Sequence, residues 1–330
     1  MPQRILRTLL EWSHKMKIAV GKGMIAVKIL LVCLLMVCGC TSLYIRRDHD
    51  PKTAQAADKL HTEGLMLFDE GKYNDALEAW FREILLDPMR PKPYNNIGIA
   101  YRRLGKPDMA IPYHKKAISV DPSFGHSYYS LGLIYYDKQD YKKALDLFLK
   151  AIQKKYDDAD VYYSLGQSHK NLNQYSEALA AYEATVKRYF NYPGVHYQIG
   201  LIHALQGSTD LARMELKREQ SFNTCYRIPA TIKLLEMDAE QFPDNADILF
   251  ELGKLYAEMP DDKKAVDVFK RIFAHNPSYP EAHFRLGRIY FRQGNLLEAE
   301  EEYIKELEAN PGNASAQEAL KSLREQLPRK

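Results

Sequence analysis

Cysteine is nearly missing from this chain. Of four cysteines in 330 residues, Cys33, Cys38 and Cys40 crowd near the start and only Cys225 lies beyond them. A disulfide framework is therefore excluded, and one thiol makes no metal site. Cys225 is expected to be a buried or inert thiol, with an intermolecular bond as the alternative. The patterns that carry catalysis are lacking too: there is no phosphate-binding GxxxxGK[ST] loop, no HExxH and no GxSxG. Gly21-Lys22-Gly23 has neither the upstream glycine nor the spacing of a phosphate loop. No cofactor or small-molecule substrate is implied, and the chain reads as non-enzymatic.

Net charge is also small. The 46 basic and 43 acidic side chains nearly cancel, and residues 1–39 hold six of the former and one of the latter. What remains is 40 against 42, a balance that does not draw nucleic acid.

What the chain does have is a period. Gly64, Gly98, Gly132, Gly166, Gly200, Gly253 and Gly287 are each followed twelve residues later by an alanine, from Ala76 to Ala299. Five of the six intervals are 34 residues long, and the one from Gly200 to Gly253 is 53. Spacing of this kind means stacked supersecondary units. The units run 57–90, 91–124, 125–158, 159–192, 193–226, 246–279 and 280–313. Within each, apolar residues at the fourth, seventh and eleventh places (Tyr94, Ile97 and Tyr101, for instance) make one helical stripe. A polar turn such as Leu104-Gly105-Lys106-Pro107 follows, and a second stripe runs through the alanine and an aromatic four places on. Pro88, Pro122, Pro277 and Pro311 stop the second helix of their units. Each unit is a helical hairpin in which glycine and alanine allow two backbones to cross closely.

These units resemble the tetratricopeptide repeat (TPR) family, from residue 57 to about 327. The resemblance implies an all-α solenoid, a right-handed superhelix of about seven repeats with a C-terminal capping helix. Residues 57–226 hold repeats 1–5 and 246–313 hold repeats 6–7. Between them, 227–245 is expected to form an extra helix opened by Pro229 and lined on one side by Ile228, Ile232, Leu235 and Phe242. That helix would divide the superhelix into two directions. In residues 314–330, Ser315-Ala316-Gln317-Glu318 reads as a capping box that opens the last helix.

Residues 1–39 have the layout of a signal peptide: Lys15, Lys17, Lys22 and Lys28, then the apolar run 29–38, then Gly39-Cys40. Val37-Cys38-Gly39-Cys40 resembles a bacterial lipobox, which would make Cys40 the lipidated first residue of the mature chain and 40–56 a polar tether. An uncleaved N-terminal anchor and an organelle presequence are the competing readings. The lipobox and the anchor both place the repeats outside the cytosol, and the former favours the outer membrane of a bacterial envelope.

The histidines map onto the repeat as structural groups. His169 and His203 occupy the eleventh place and are expected to stack in the core, while His196, His283 and His114 take places that are apolar or aromatic elsewhere. Binding is what remains. The family's concave groove is lined by the second, fifth, ninth, twelfth and thirteenth places of the first helix. By that frame Tyr129, Tyr163 and Tyr197 form a ladder at the fifth place, joined by Tyr136 from the twelfth; Asn95 holds the fifth place of repeat 2, where Lys92, Arg102 and Arg103 make a basic patch. A groove of rigid aromatics suits a peptide or protein partner; packing against neighbouring helices is the alternative reading of the same rings. The family's carboxylate clamp is absent, because His61 and Leu65 stand where lysine and asparagine are needed. The chain thus resembles TPR lipoproteins of the secretin-pilotin type, scaffolds anchored in the membrane that assemble outer-membrane machines. A regulatory subunit of an envelope enzyme, such as a peptidoglycan hydrolase or an export system, is the second reading.

Overall fold

A computed structural model describes residues 51–326. Among them are sixteen α-helices and no strand. Helices α1 (Pro51–Asp69) and α2 (Tyr73–Leu86) are repeat 1, α3 (Pro91–Arg103) and α4 (Pro107–Val120) repeat 2, and α5 (Gly125–Asp137) and α6 (Tyr141–Gln153) repeat 3. Repeat 4 supplies α7 (Ala159–Asn171) and α8 (Tyr175–Arg188), and repeat 5 supplies α9 (Val195–Leu205) and α10 (Thr209–Ser221). After α11 (Arg227–Gln241) come α12 (Ala246–Glu258) and α13 (Asp262–His275), α14 (Ala282–Arg292) and α15 (Leu296–Ala309), and α16 (Ala314–Gln326). The chain divides between Gln174 and Tyr175 into two compact units. In the first, each hairpin packs on the next, and α3, α5 and α7 lie side by side. In the second, α10 packs on α11 and α11 on α12, and α15 packs on α16.

The glycine of the period has a specific partner. A Cβ on Gly64 would stand 2.3 Å from the Trp80 indole, one on Gly98 2.5 Å from the His114 ring, and one on Gly132 2.6 Å from the Phe148 ring. Gly253 and Gly287 face Phe269 and Tyr303 in the same way. The bulky side chain sixteen residues downstream thus lies across the glycine of the first helix, and the bare backbone there lets the ring in. The alanines from Ala76 to Ala299 are all fully buried at the crossing.

A second regularity joins successive repeats. Tyr94 and Tyr128 donate from their hydroxyls to the carbonyls of Pro88 and Pro122, at 3.2 and 3.3 Å. His196 and His283 place Nε2 3.2 and 2.8 Å from the carbonyls of Phe190 and Pro277. In these four repeats the fourth place therefore holds the carbonyl six residues back, two residues after the preceding helix has ended. The prolines act a little later than a helix stop: α2, α4, α13 and α15 each end two residues before one, with Asp87, Asp121, Asn276 and Asn310 at the C-cap.

Several expectations change. Residues 51–56 of the tether are helix, the first turns of α1, with Pro51 at its start where a missing N–H costs nothing. The buried residues of α11 are Ala230, Leu234, Met237 and Ala239, and of the four expected residues Ile232 and Leu235 pack half-buried against the core around Ala239 and Leu249. Ile228 and Phe242 are exposed instead, because they sit at the helix ends, beyond the reach of Ala212 and Leu216 on α10. At α16, Asn313 accepts from Ala316 N–H at 3.1 Å, so the cap is Asn313 and Ser315 is already inside the helix. Cys225 is exposed. His169 and His203 are only half-buried, and His169 bonds Gln174 at 2.8 Å near the surface. Residues 1–39, read above as a signal peptide, and Cys40 lie outside the described residues, and no described helix is long and apolar enough to cross a membrane.

Candidate partner-binding surfaces

The first surface is the row formed by α3, α5 and α7 in the first unit. Its ladder residues are half-buried. The ring of Tyr129 packs 5.8 Å from Phe148 and 5.0 Å from Tyr156, and burial pushes its hydroxyl pKa up. Tyr163 accepts from Gln167 Nε2 at 3.0 Å. Tyr136 packs edge-on to Tyr141 and accepts from Asn171 Nδ2 at 3.0 Å. Arg102 reaches Asp137 at 2.8 Å across the same two places of the preceding pair of repeats. The twelfth place of one repeat thus bonds the thirteenth of the next, and the row is stitched together laterally. Lys92 and Arg103 are exposed. Asn95 is not part of the surface: it is buried, and its Oδ1 lies 3.1 Å from both His114 Nδ1 and Ser127 Oγ.

Tyr197 belongs to the second unit, where its ring lies 5.7 Å from Tyr226 and burial raises its pKa. Phe250 packs likewise on Phe269 and Tyr279, and Phe284 on Tyr303. Tyr129, Phe250 and Phe284 at the fifth place thus cover the buried ring of their own repeat and stay half-buried themselves.

Three histidines are bonded into the packing. His196 and His283 each set Nδ1 2.6 Å from a carboxylate nineteen residues on, Glu215 and Glu302. His283 also stacks on Phe273 at 3.9 Å. His114 is fully buried, and burial, with Arg102 nearby, lowers its pKa to about 3. Among the described residues no group of three metal-ligating side chains comes together.

A second surface escaped the sequence reading. In the second unit an open cleft of about 610 Å³ lies among α12, α14, α15 and α16. Its floor is aromatic, with Phe284, Phe291 and Tyr303, and its rim is basic, with Lys254, Arg285, Arg288 and Arg292 against one carboxylate, Glu258. The signal was present: Lys254 and Arg288 both hold the ninth place, and Arg292 the thirteenth.

Sequence profiles of the tetratricopeptide repeat family match residues 91–124, 132–173, 163–220 and 263–314, together just over half of the chain. The chain belongs to the TPR family. No curated protein sequence matches it. Among solved structures, PilF of Pseudomonas aeruginosa is similar at 16% identity and a TM-score of 0.50, over 73% of this chain and 99% of that one. MamA is similar at 26% identity and a TM-score of 0.44, over 47% of this chain and 91% of its own. YrrB, described as a TPR protein with an unusual peptide-binding site, is 21% identical over 74% of this chain and 99% of its own, with a TM-score of 0.38. The likeness to PilF is one of fold, an array of TPR hairpins.

Proposed function

We propose that this TPR protein is a non-enzymatic scaffold held at the bacterial cell envelope by a lipid on Cys40, where it binds a peptide or protein partner and helps assemble an outer-membrane machine of the pilus, secretin or export kind. The observation that carries the binding part is the row of α3, α5 and α7, which lines up half-buried tyrosines, amides and cations on one face. Rigid rings with polar tips offer contact area at low entropic cost. The lipobox-like Val37-Cys38-Gly39-Cys40 supports the anchor.

Capture of partners from detergent-solubilised native membranes tests the reading. A Tyr129→Ala, Tyr136→Ala, Tyr163→Ala variant, all three within the row, with unchanged helicity is expected to lose a specific partner. An identical set of partners from both proteins would make the rings structural and overturn the groove. Intact mass tests the anchor separately: a diacyl or triacyl adduct on a chain beginning at Cys40 is expected, and an unmodified full-length chain would refute it.

A further inference from the structure

We propose that the second unit rests one edge, the loops 189–194 and 222–226, on an anionic lipid surface, with Tyr189 and Phe190 in the interface and basic side chains at the headgroups. This deepens the membrane part of the function proposed above. It rests on the repeats lying beside a bilayer, and needs neither the lipid on Cys40 nor the tyrosine row.

The two loops form one tip. Glu219 is buried near the end of α10, and its Oε1 accepts from the Gly194 N–H at 3.1 Å and from the Thr224 hydroxyl at 2.6 Å. A Cβ on Gly194 would stand 2.5 Å from the Tyr226 ring, so the loops touch directly. Phe190 packs edge-on to Phe222 at 5.8 Å and to His196 at 5.7 Å. Held this way, the rings still face solvent. Residues 187–191 are exposed without a break, Tyr189 to 50% and Phe190 to 58%. Ile228, on the first turn of α11, is exposed too. Fixed apolar groups gathered on a surface mark a contact.

Charge names the occupant. From residue 184 to residue 235 the acidic side chains are Asp210, Glu215 and Glu219. Asp210 lies in the first turn of α10, at the far end of that helix from the tip. The other two are buried, and Glu215 is taken by His196 and Arg218. Arg213 and Lys233 are neutralised by Asp238 and Glu236. Lys187, Lys217 and Arg227 are exposed, each within five residues of Tyr189 or Phe222, and none is in an ion pair among the described residues. Against them stands Glu183, exposed one turn before Lys187. The first turn of α11 holds no acidic residue, so its N-terminal dipole adds to the cations. Rings beside cations match a bilayer interface, where an apolar layer lies directly beneath phosphates. Long basic side chains reach that level while the rings sit below it. A projecting tip also suits a surface that yields, and a bilayer receives it without a matching hollow.

The test reconstitutes the full chain into vesicles of phosphatidylcholine, with or without a third of phosphatidylglycerol, in which brominated acyl chains quench tryptophan. Phe190→Trp places the probe in the tip, and Leu205→Trp, 67% exposed at the opposite end of α9, is the control. Each signal is taken as the difference from wild type. In anionic vesicles bromine is expected to quench the added tryptophan at 190 at least about threefold more than that at 205. The excess is expected to vanish in neutral vesicles, with added salt, and when Lys187→Glu, Lys217→Glu and Arg227→Glu are combined. Those three side chains are exposed, so the fold is expected to persist, which the melting curve checks. Equal quenching at 190 and 205, or quenching at 190 that ignores salt and the charge reversals, would overturn the proposal. Two other outcomes would overturn it by changing the occupant. A blue shift at 190 that appears in detergent and grows with protein concentration would assign the tip to a second copy. Emission at 190 that stays unquenched in anionic vesicles, yet shifts on adding a soluble envelope fraction, would assign it to a protein. Intact mass separates this result from the anchor. Quenching at 190 on a chain without an acyl adduct leaves the proposal standing while the anchor falls, and a lipidated chain with no quenching removes the tip alone.

Discussion

His114 and His283 occupy neighbouring kinds of site and answer to protons in opposite senses. Burial holds His114 down to about 3, so the unfolded chain takes up a proton on acidification while the folded chain does not. Its contribution is complete above the ordinary value of 6.5 and is lost as pH falls below it. Between pH 7 and pH 5 that amounts to about 2 kcal/mol. The His114→Phe variant, with the ring type of Phe148 at the same place, is expected to flatten the fall in melting temperature over that range. For His283, burial alone would lower the pKa, but the bonds to Glu302 and the Pro277 carbonyl outweigh it and the pKa is raised. Both nitrogens face acceptors, which suits the imidazolium. Burial likewise opposes the charge on Glu302, and the bonds from His283 and Lys305 prevail and lower its pKa. The His283 contribution is full below 6.5 and lost as pH rises through the raised value; that of Glu302 is full above 4.5 and lost on acidification. Melting of wild type and His283→Tyr is therefore expected to differ more near pH 5.5 than at pH 8. At Gly132, alanine would gain about 1 kcal/mol of helix propensity. It would also drive a Cβ to within 2.6 Å of a fully buried phenylalanine ring. We expect Gly132→Ala to lose roughly 1–3 kcal/mol in denaturant titration, with part recovered by adding Phe148→Leu.

Helix ends decide the next scale. The turn between the two helices of a repeat needs a left-handed residue at its fifteenth place, and Gly105, with φ 71°, supplies it. Gln139 holds the same place in repeat 3 with φ 61°. A side chain there costs roughly 1–2 kcal/mol. Gln139→Gly is thus expected to stabilise the protein by about 1 kcal/mol and Gly105→Ala to destabilise it by a similar amount, both read from denaturant midpoints. The cap of α16 makes a sharper pair: Asn313→Ala is expected to cost about 1 kcal/mol and Ser315→Ala little, the reverse of what the capping box implied. The hairpins were legible because small residues and rings recur at one spacing wherever backbones cross. The cap was not, since Asn313 and Ser315 both fit an N-cap by residue type and only the local backbone separates them. The buried side of α11 was misread for a related reason. Large apolar residues marked Ile228 and Phe242, whereas the surface of α10 admits small Ala230 at the point of contact. Asn95 sits at a groove place by number, yet the absence of a large side chain at Ser127 lets it turn inward to His114. The basic cleft was missed because its cations come from two repeats and become a cluster only when stacked.

At the scale of the molecule, the 53-residue interval is one repeat period plus the nineteen residues 227–245. Deleting those residues would restore a spacing of 34 throughout and bring α12 against α10, the usual neighbours of a first and a second helix. Because repeat arrays are stabilised mainly by nearest-neighbour contacts, a 227–245 deletion is expected to fold cooperatively, with helical content reduced by about the length of α11. Collapse of helicity across the second unit would show that α11 has no substitute there.

The bond from the fourth place to the preceding carbonyl bears on how such a chain comes into being. Tyrosine and histidine serve equally as donors at Tyr94, Tyr128, His196 and His283, and the acceptor is always main chain. Each of these four segments thus carries its own fastener and asks nothing of the side chains it is joined to, whereas Leu249 at the fourth place of repeat 6 has no donor to offer. Duplication or loss of such a segment in the gene would leave its joint intact, so the number of repeats of this kind is free to drift while the geometry of the junction is inherited.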